Sequence, residues 1–352
     1  MEEIFKSVAD KIIGYRKDDL PTPTPEHVER WSQQFTPKYQ QIVLHEINHI
    51  LDEIYITEEN VEAFLKSLTT NKKLVGEDPV DFWKSVFVFK EQEHGNSLSE
   101  MISKLFSILE NDLGVAETGE SDSDTFIYID DFIFTGNRLF NDLRPWIEDA
   151  PERKLSVHII LIGYHMSGKW WVENRLKNLA KEKGKKISFT YWSFKQARLE
   201  NRLKYKNSSD ILWPTEEILS IPEIAEYIEE QDPEKNKIKF RDKDSSGKSK
   251  FFSSEENRRI IEQEFTLAGL KIRSFSASPS ISLKPLGFSP FVGFGFGAIV
   301  TTYRNCPNNC PLALWWGSPN ASQNHPLSKW YPLLERKTYE HSSELNLLAL
   351  MI

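Results

Sequence analysis

The sequence predicts an α/β fold: a parallel sheet core flanked by helices, with an N-terminal helical cap and a C-terminal β-rich hood. Hydrophobic, β-branched runs alternate with stretches of helical spacing between residues 85 and 192. This order is typical of parallel strands that are joined by crossover helices. A length of 352 residues, of which 39% are hydrophobic, is sufficient to bury a large core in one or two domains.

The first 75 residues are expected to form the helical cap. Residues 1–20 have the pattern of an amphipathic helix, and the prolines at 21, 23 and 25 end it. Apolar side chains then recur at three- and four-residue spacing as far as residue 70, which indicates further helices. Thr57 is a suitable N-cap for the last of them, because its hydroxyl can accept from an amide of the first turn.

Residues 76–230 carry the alternation and are expected to form the sheet. Four hydrophobic runs are predicted to be strands, at 85–89, 125–129, 156–163 and 187–192. Helices are predicted between or after these runs, at 97–112, 137–148 and 170–183.

Residues 231–250 are predicted to be a basic, mobile loop, which the hood follows at 251–352. Residues 235–250 contain seven Lys or Arg and two Asp, a balance of +5 in a chain whose net charge is -8. This segment is a candidate contact for nucleic acid, and the alternative is a solvated insertion. In the hood, residues 254–267 have helical spacing, and 281–316, rich in Gly, Pro and aromatic residues, are expected to form β-hairpins.

Composition excludes several classes of protein. A chain of net charge -8 lacks the basic face of a general nucleic-acid coat protein. The sequence has no run of about 18 apolar residues, so no membrane span is expected. Two cysteines, Cys306 and Cys310, are too few for a disulfide framework and favour a reducing cytoplasm.

The clearest candidate site is the segment FIYIDDFIFTGNR at residues 126–138. Two adjacent acids, Asp130 and Asp131, follow a hydrophobic strand, at the edge where open α/β sheets bind ligands. Thr135 and Gly136 then lead into a helix whose first amides can hold a phosphate. Carboxylates can accept from vicinal ribose hydroxyls or hold hydrated Mg²⁺, so the segment suits a ribose 5-phosphate compound. The alternative is an acidic turn whose side chains are solvated or cap the helix.

This segment resembles the phosphoribosyl-pyrophosphate loop of type I phosphoribosyltransferases. The resemblance implies the fold of that family, a ligand such as phosphoribosyl pyrophosphate or a nucleotide, and Mg²⁺ held through water by the catalytic pair Asp130 and Asp131. It also implies that the 5-phosphate is bound by Phe134, Thr135, Gly136, Asn137 and Arg138. Three of these depart from the family pattern: Phe134 stands at a small or hydroxyl position, Asn137 at a glycine and Arg138 at a threonine.

Other loops complete the expected site. Lys90, after the first strand, is the cation available to the pyrophosphate of such a ligand. The loop at 114–124 stands where the family has its catalytic loop, but it carries acids and no Lys or Arg, which argues against turnover. Asn308 and Asn309, between the two cysteines, are candidates to reach the base.

Further segments resemble the phosphoribosyltransferase-like proteins encoded beside bacterial antiphage and conflict systems, including retrons. They lie at 31–35 (WSQQF), 284–288 (KPLGF), 305–316 and 330–334. The resemblance implies an effector of a defence system that a neighbouring protein or nucleic acid holds in check. Two functions stay open: an enzyme that transfers a phosphoribosyl group or degrades nucleotides, and a sensor or scaffold that binds a nucleotide or partner without turnover.

Two other motifs give alternatives. Residues 45–49, HEINH, have the HExxH spacing of a zinc peptidase, in which His45 and His49 would ligate the metal and Glu46 would be the general base. Residues 163–170, GYHMSGKW, fit the Walker A spacing as far as Lys169. Trp170, however, stands where a Ser or Thr should contact Mg²⁺.

Overall fold

The computed structural model of the chain describes residues 1–89, 97–194, 197–201, 209–231, 238–243 and 251–336. The chain forms two units: unit 1 comprises Met1–Thr57 and Glu200–Ile352, and unit 2 is the stretch Glu58–Leu199 between them. The domain boundaries expected from the sequence, at residues 75, 230 and 250, stay a prediction. Among the described helices, none has both the length and the apolar composition that crossing a membrane needs.

The N-terminal part of unit 1 is helical, because its amphipathic stretches are separated by proline-rich or polar breaks. Pro25 occupies the first position of a helix, where a missing N–H is tolerated, and Thr24 Oγ1 accepts from the amide of His27 at 3.3 Å. The elements are α1 (Glu2–Lys11), α2 (Pro25–Ser32), α3 (Gln40–Ile54) and the short strand β1 (Tyr55–Ile56).

Unit 2 begins with helices and continues with the alternation that the sequence predicts. The helices are α4 (Glu58–Thr69), α5 (Lys72–Val75) and α6 (Pro79–Ser85). The alternating elements are β2 (Phe87–Val88), α7 (Ser97–Leu113), β3 (Thr125–Ile133), α8 (Asn137–Asp149), β4 (Lys154–His165), α9 (Met166–Glu182), β5 (Lys186–Ser193) and β6 (Arg198–Leu199). The described strands pair in parallel in the order β2-β3-β4-β5, and β6 pairs with the end of β4. The predicted parallel α/β core is therefore confirmed.

Helices α8 and α9 cover one face of the sheet. Alternate residues of the strands, such as Phe126 of β3 and Val157 of β4, pack there against Leu143 of α8 and Leu176 of α9. Two strands differ in length from the prediction. β2 is shorter because α6 continues through Ser85, and β3 runs four residues past 129 because its pairing with β4 continues.

The C-terminal part of unit 1 holds α10 (Pro222–Gln231), α11 (Glu255–Arg273), β7 (Leu283–Lys284), β8 (Gly287–Phe288), β9 (Thr301–Thr302) and α12 (Leu312–Trp315). Ser254 caps α11, since its Oγ accepts from the amide of Asn257 at 3.1 Å. β9 pairs in parallel with β1, which joins the two chain segments of the unit. Each strand described between 281 and 316 has two residues, so the hairpins there are shorter than the sequence predicts.

The described part of the basic segment, residues 238–243, packs into unit 1. Arg241 has a fully buried side chain, and its guanidinium pairs with Glu255 at 2.8 Å and with Glu262 at 3.0 Å. The segment contributes this arginine to a buried ion-pair network with Arg258, so its charge is not presented to a partner. Whether the rest of the segment contacts nucleic acid stays a prediction. Lys239 and Lys243 are exposed.

Candidate functional site

The acidic pair lies within β3 rather than in a turn after it. Asp130 pairs in register with Leu161 of β4, and the strand continues to Ile133. Consecutive side chains of a strand leave from opposite faces, so Asp130 lies on the α8 side with Tyr128, and Asp131 points the other way. Asp130 is 5% exposed, whereas Asp131 is half-buried. The two carboxylates are therefore in different environments.

Asp130 belongs to a polar cluster with Tyr128, Arg138 and Asp142. The Tyr128 hydroxyl donates to Asp142 Oδ2 at 2.7 Å and lies 3.5 Å from Asp130 Oδ2. Arg138 Nη1 is 3.8 Å from Asp130 Oδ1, and its Nε is 3.9 Å from Asp142 Oδ2. Burial lowers the pKa of Arg138, but the carboxylate of Asp130, with that of Asp142, outweighs this effect and raises it. Arg138 is thus held by acids of its own unit.

Burial also keeps Tyr128 protonated. Its pKa is raised well above the ordinary value of 10.0, first by burial and then by the neighbouring carboxylates of Asp130 and Asp142. The hydroxyl therefore remains a donor, which fixes the position of the Asp142 carboxylate beside Arg138.

The loop after β3 is set by close packing against the start of α9. Phe134 is buried and stacks on Phe132, with ring centroids 4.5 Å apart. Gly136 has φ +79°, and a Cβ at that position would lie 2.6 Å from Val172 Cβ of α9. Glycine is therefore required at 136 both for its backbone conformation and for the close approach. The phenylalanine that departs from the family pattern thus fills the core beneath the loop.

Gly136 is the N-cap of α8, so the first backbone amides of this helix lie at the carboxyl end of the sheet. Thr135 Oγ1 accepts from the amide of Asn137 at 3.4 Å, which orders the first turn. A 13-residue helix has a positive N-terminal end, which is suited to an anion.

Sequence reasoning missed Arg175 of α9. Its Nη1 lies 3.5 Å from Asn137 Oδ1, and its guanidinium lies 3.5 Å from the ring centroid of Phe140 and 4.3 Å from that of Trp171. Two aromatic faces thus hold a cation beside the start of α8. Helical spacing in 170–183 placed Trp171 and Arg175 on one face, but only the packing of α8 on α9 brings them to Asn137.

The other expected site residues lie elsewhere. Lys90 falls outside the described residues. Asn308 and Asn309 belong to unit 1, where the Asn308 carbonyl accepts from the amide of Phe288 at 2.8 Å and Asn309 Nδ2 donates to the Phe288 carbonyl at 2.9 Å. These contacts fix a turn against β8, and whether the asparagines reach a base stays a prediction.

The zinc interpretation of residues 45–49 is wrong. Glu46 is fully buried in α3, and its carboxylate accepts from the amide of Ser253 at 2.9 Å and from the Ser253 hydroxyl. His45 is exposed on another face of the helix. Across the described residues, no group of three or more His, Cys, Asp or Glu side chains could hold a metal ion. Glu46 therefore anchors the start of α11.

Residues 163–170 also lack the geometry of a Walker A loop. β4 continues to His165 and α9 begins at Met166, so no loop separates them. The glycines serve packing, since a Cβ at Gly163 would lie 2.5 Å from the carbonyl oxygen of Ala197. Lys169 pairs with Glu173 of its own helix at 2.7 Å.

The parallel sheet with its flanking helices makes this chain an α/β protein. The model of the PRTase-CE family matches residues 28–336, which is most of the chain, and the chain belongs to that family. Searches of curated proteins and of solved structures gave no match.

Proposed function

We propose that unit 2 binds a ribose 5-phosphate compound, phosphoribosyl pyrophosphate or a nucleotide, at Asp130–Arg138. The observation that carries the proposal is the turn at Gly136, which directs the first amides of α8 to the edge of the sheet beside two carboxylates. Membership of the PRTase-CE family supports this assignment. The amides and Arg175 would hold the 5-phosphate, and Asp131 would accept from the ribose hydroxyls.

Magnesium fits the chemistry of this donor set. Asp131, on the face of the strand that Arg138 does not occupy, is the carboxylate that would hold it through water. The phosphates of the ligand would supply further oxygens, as Mg²⁺ sites on phosphate substrates commonly do. When bound, the ion neutralises charge on a pyrophosphate leaving group. Asp130, already paired with Arg138, would position the backbone of Asp131, because its Oδ1 accepts from the Asp131 amide at 2.8 Å.

An enzyme at this site would break the bond between C1 of the ribose and pyrophosphate and form a bond from C1 to an acceptor. The ribose carbon gains positive charge as the leaving group departs, and the half-buried carboxylate of Asp131 would stabilise that charge.

A sensor or scaffold without turnover is the second candidate, and one observation favours it. The guanidinium of Arg138 is engaged by Asp130 and Asp142, and Phe134 stacks on Phe132, so part of the loop is committed to internal contacts. Release of pyrophosphate over a panel of bases and nucleotides separates the two candidates. Tight binding with no release would decide for the sensor.

Calorimetry with phosphoribosyl pyrophosphate and Mg²⁺ tests binding. Replacing Asp131 with Asn removes a charged acceptor and should weaken binding about tenfold or more. Gly136→Ala should also weaken it, because the loop must move away from Val172. Gly184→Ala is the matched control, since Gly184 has φ +69° with open space around it. Affinity that is unchanged in Asp131→Asn and Gly136→Ala would exclude the site.

We further propose that the protein is a cytoplasmic effector of a bacterial antiviral defence system, controlled by a neighbouring protein or nucleic acid. The resemblance of residues 31–35 and 305–316 to such proteins supports this role, and the low cysteine number supports the compartment. Phage challenge of cells that carry the chain with its neighbouring genes, wild type against Asp131→Asn, tests it. If both proteins protect the cells equally, defence does not depend on binding of the proposed ligand.

Within the described part of the basic segment, Lys239 and Lys243 are the exposed lysines that would contact a nucleic-acid partner. Replacing Lys239 and Lys243 with Gln, with Arg241 retained, should reduce the salt dependence of any duplex binding by about 0.9 in the log–log slope for each lost phosphate contact. An unchanged slope would identify the segment as a structural part of unit 1.

A further inference from the structure

Unit 1 contains a buried lysine whose hydrogen-bond partner, among the described residues, is a neutral amide. Lys284 of β7 is 3% exposed, and its Nζ donates to the amide oxygen of Gln231 at 2.6 Å. In the part of the chain that the structure describes, no carboxylate forms an ion pair with it. Burying a charge without an opposite charge costs several kcal/mol, so such an arrangement needs an explanation.

The fold brings a second cation to the same place. A Cβ at Gly269 of α11 would lie 2.6 Å from the carbonyl oxygen of Pro285, so the β7–β8 hairpin rests directly on this helix. Arg273 lies one turn after Gly269 on the same face, and its Nη1 donates to the Ser280 carbonyl at 2.9 Å. Its positive charge is one cause of the lowered pKa of Lys284. Among the described residues, Arg273 too forms no ion pair with a carboxylate.

The loop at 289–293 is held by the same side chain that binds Lys284. The carbonyl of Gly293 accepts from Gln231 Nε2 at 3.2 Å and from the Tyr227 hydroxyl at 3.5 Å. Gly293 has φ +122° and open space where a Cβ would be, and Phe291 beside it is 73% exposed. The amide of Gln231 thus binds both the loop, through Gly293, and the ammonium group of Lys284.

We propose that Lys284 and Arg273 form a binding site for an oxyanion, a phosphate or a carboxylate group, beside the loop 289–293. An anion would supply a counter-charge that no described residue gives to either side chain, and the arginine fork and the ammonium are the donors that bind such groups most strongly. The site lies within unit 1 and is independent of the function proposed for unit 2.

The ionisation of Lys284 agrees with this geometry. Burial first, and the charge of Arg273 second, lower its pKa from 10.5 to about 8. The groups that face the cluster are Gln231 and Tyr227 from α10 and Arg273 from α11. Burial raises the pKa of Tyr227, so this side chain stays neutral near pH 8. A bound anion would favour the charged lysine and return its pKa toward the ordinary value.

The test measures the pKa of Lys284 by side-chain NMR in the full chain. The signal of Lys284 is assigned because it is absent from the spectrum of Lys284→Arg. Sodium phosphate and sodium acetate are titrated in separate arms, with sodium chloride at equal ionic strength as the reference. We expect a saturable rise in the pKa of Lys284 in one arm or both, and the responding arm identifies the phosphate or carboxylate source. Asp131→Asn should respond as the wild type does, which separates this site from unit 2.

Variants of the second cation complete the design. Arg273→Gln should weaken the anion effect about tenfold, because it removes a charged donor. Lys271→Gln, an exposed cation on the same helix, should leave it unchanged. A pKa of Lys284 that responds to both anions no more than to chloride would overturn the proposal, and so would an Arg273→Gln protein with wild-type affinity.

Discussion

The carbonyl oxygen of Phe134 lies so close to Gly168 that any Cβ at position 168 would overlap it. Gly168 belongs to the first turn of α9, and Phe134 belongs to the loop between β3 and α8. The start of one helix therefore fixes the loop that leads into another. In unit 2 the geometry of the candidate phosphate site depends on a residue outside that site.

Gly168→Ala tests this dependence. The added methyl group should displace the loop and destabilise the protein by about 1–3 kcal/mol, the usual cost of overpacking. Binding of phosphoribosyl pyrophosphate should weaken in parallel. Thermal unfolding and calorimetry measure the two effects, and Asn174→Ala, at an exposed position of the same helix, is the control. A variant as stable as the control would mean that the loop adjusts freely.

Arg175→Gln should weaken binding of the 5-phosphate about tenfold, because it removes a charged donor beside the start of α8. Lys177→Gln, two residues further on the same helix, should have little effect because Lys177 pairs with Glu173 at 2.6 Å. Calorimetry with ribose 5-phosphate compares the two variants. If the two variants bind ribose 5-phosphate with equal affinity, Arg175 does not contact the phosphate.

Glu46→Gln should lower stability by about 1–3 kcal/mol, since its carboxylate is a buried acceptor for Ser253. His45→Ala should change it little, because His45 is exposed. Urea unfolding gives both values. A zinc site would give the opposite result. The purified protein would contain metal, and both His45→Ala and a chelator would lower its stability.

Arg241→Gln should cost about 3–5 kcal/mol, the range for breaking a buried ion pair by removing one partner. The reason is that Glu255 and Glu262 lose the guanidinium that bridges them. Lys243→Gln, at an exposed position two residues on, is the control. Chemical denaturation measures the free energy of unfolding. Equal values for the two variants would contradict a stabilising role of the buried ion pairs.

Stability should fall in mild acid because of His165. Burial lowers the pKa of this histidine from 6.5 to about 4, so the folded state binds fewer protons than the unfolded state between these values. Its contribution is complete above pH 6.5 and is lost as the pH falls toward 4, a change of roughly 3 kcal/mol. Urea unfolding at pH 7.5 and pH 5 should show a smaller loss in His165→Gln than in wild type.

The alternation of strands and helices in unit 2 could be predicted because each element carries its own periodicity. The end of β3 could not, because Asp130 and Asp131 are locally typical of a turn. Backbone pairing with β4, Phe132 with Gly163 and Ile133 with Tyr164, carries the strand through them. Tertiary hydrogen bonding thus outweighs local propensity here.

The same limit applies to side chains that meet only in the folded chain. The sequence offered Arg241 as one cation of a basic run, and nothing local distinguishes it from its neighbours. Its partner Glu262 lies 21 positions away on α11, and a buried pair at that separation depends on how the segment packs. Arg175 and Asn137, 38 positions apart, are a second case.

The pairing of β1 with β9 has a consequence for synthesis on the ribosome. Tyr55 cannot meet its partner Thr301 until most of the chain has been made, whereas unit 2 is complete by Leu199. Because domains generally fold as they emerge, unit 2 can fold first while the helices before it wait. Their apolar faces are exposed in the meantime, so nascent chains stalled between residues 200 and 300 should be the form most dependent on chaperones.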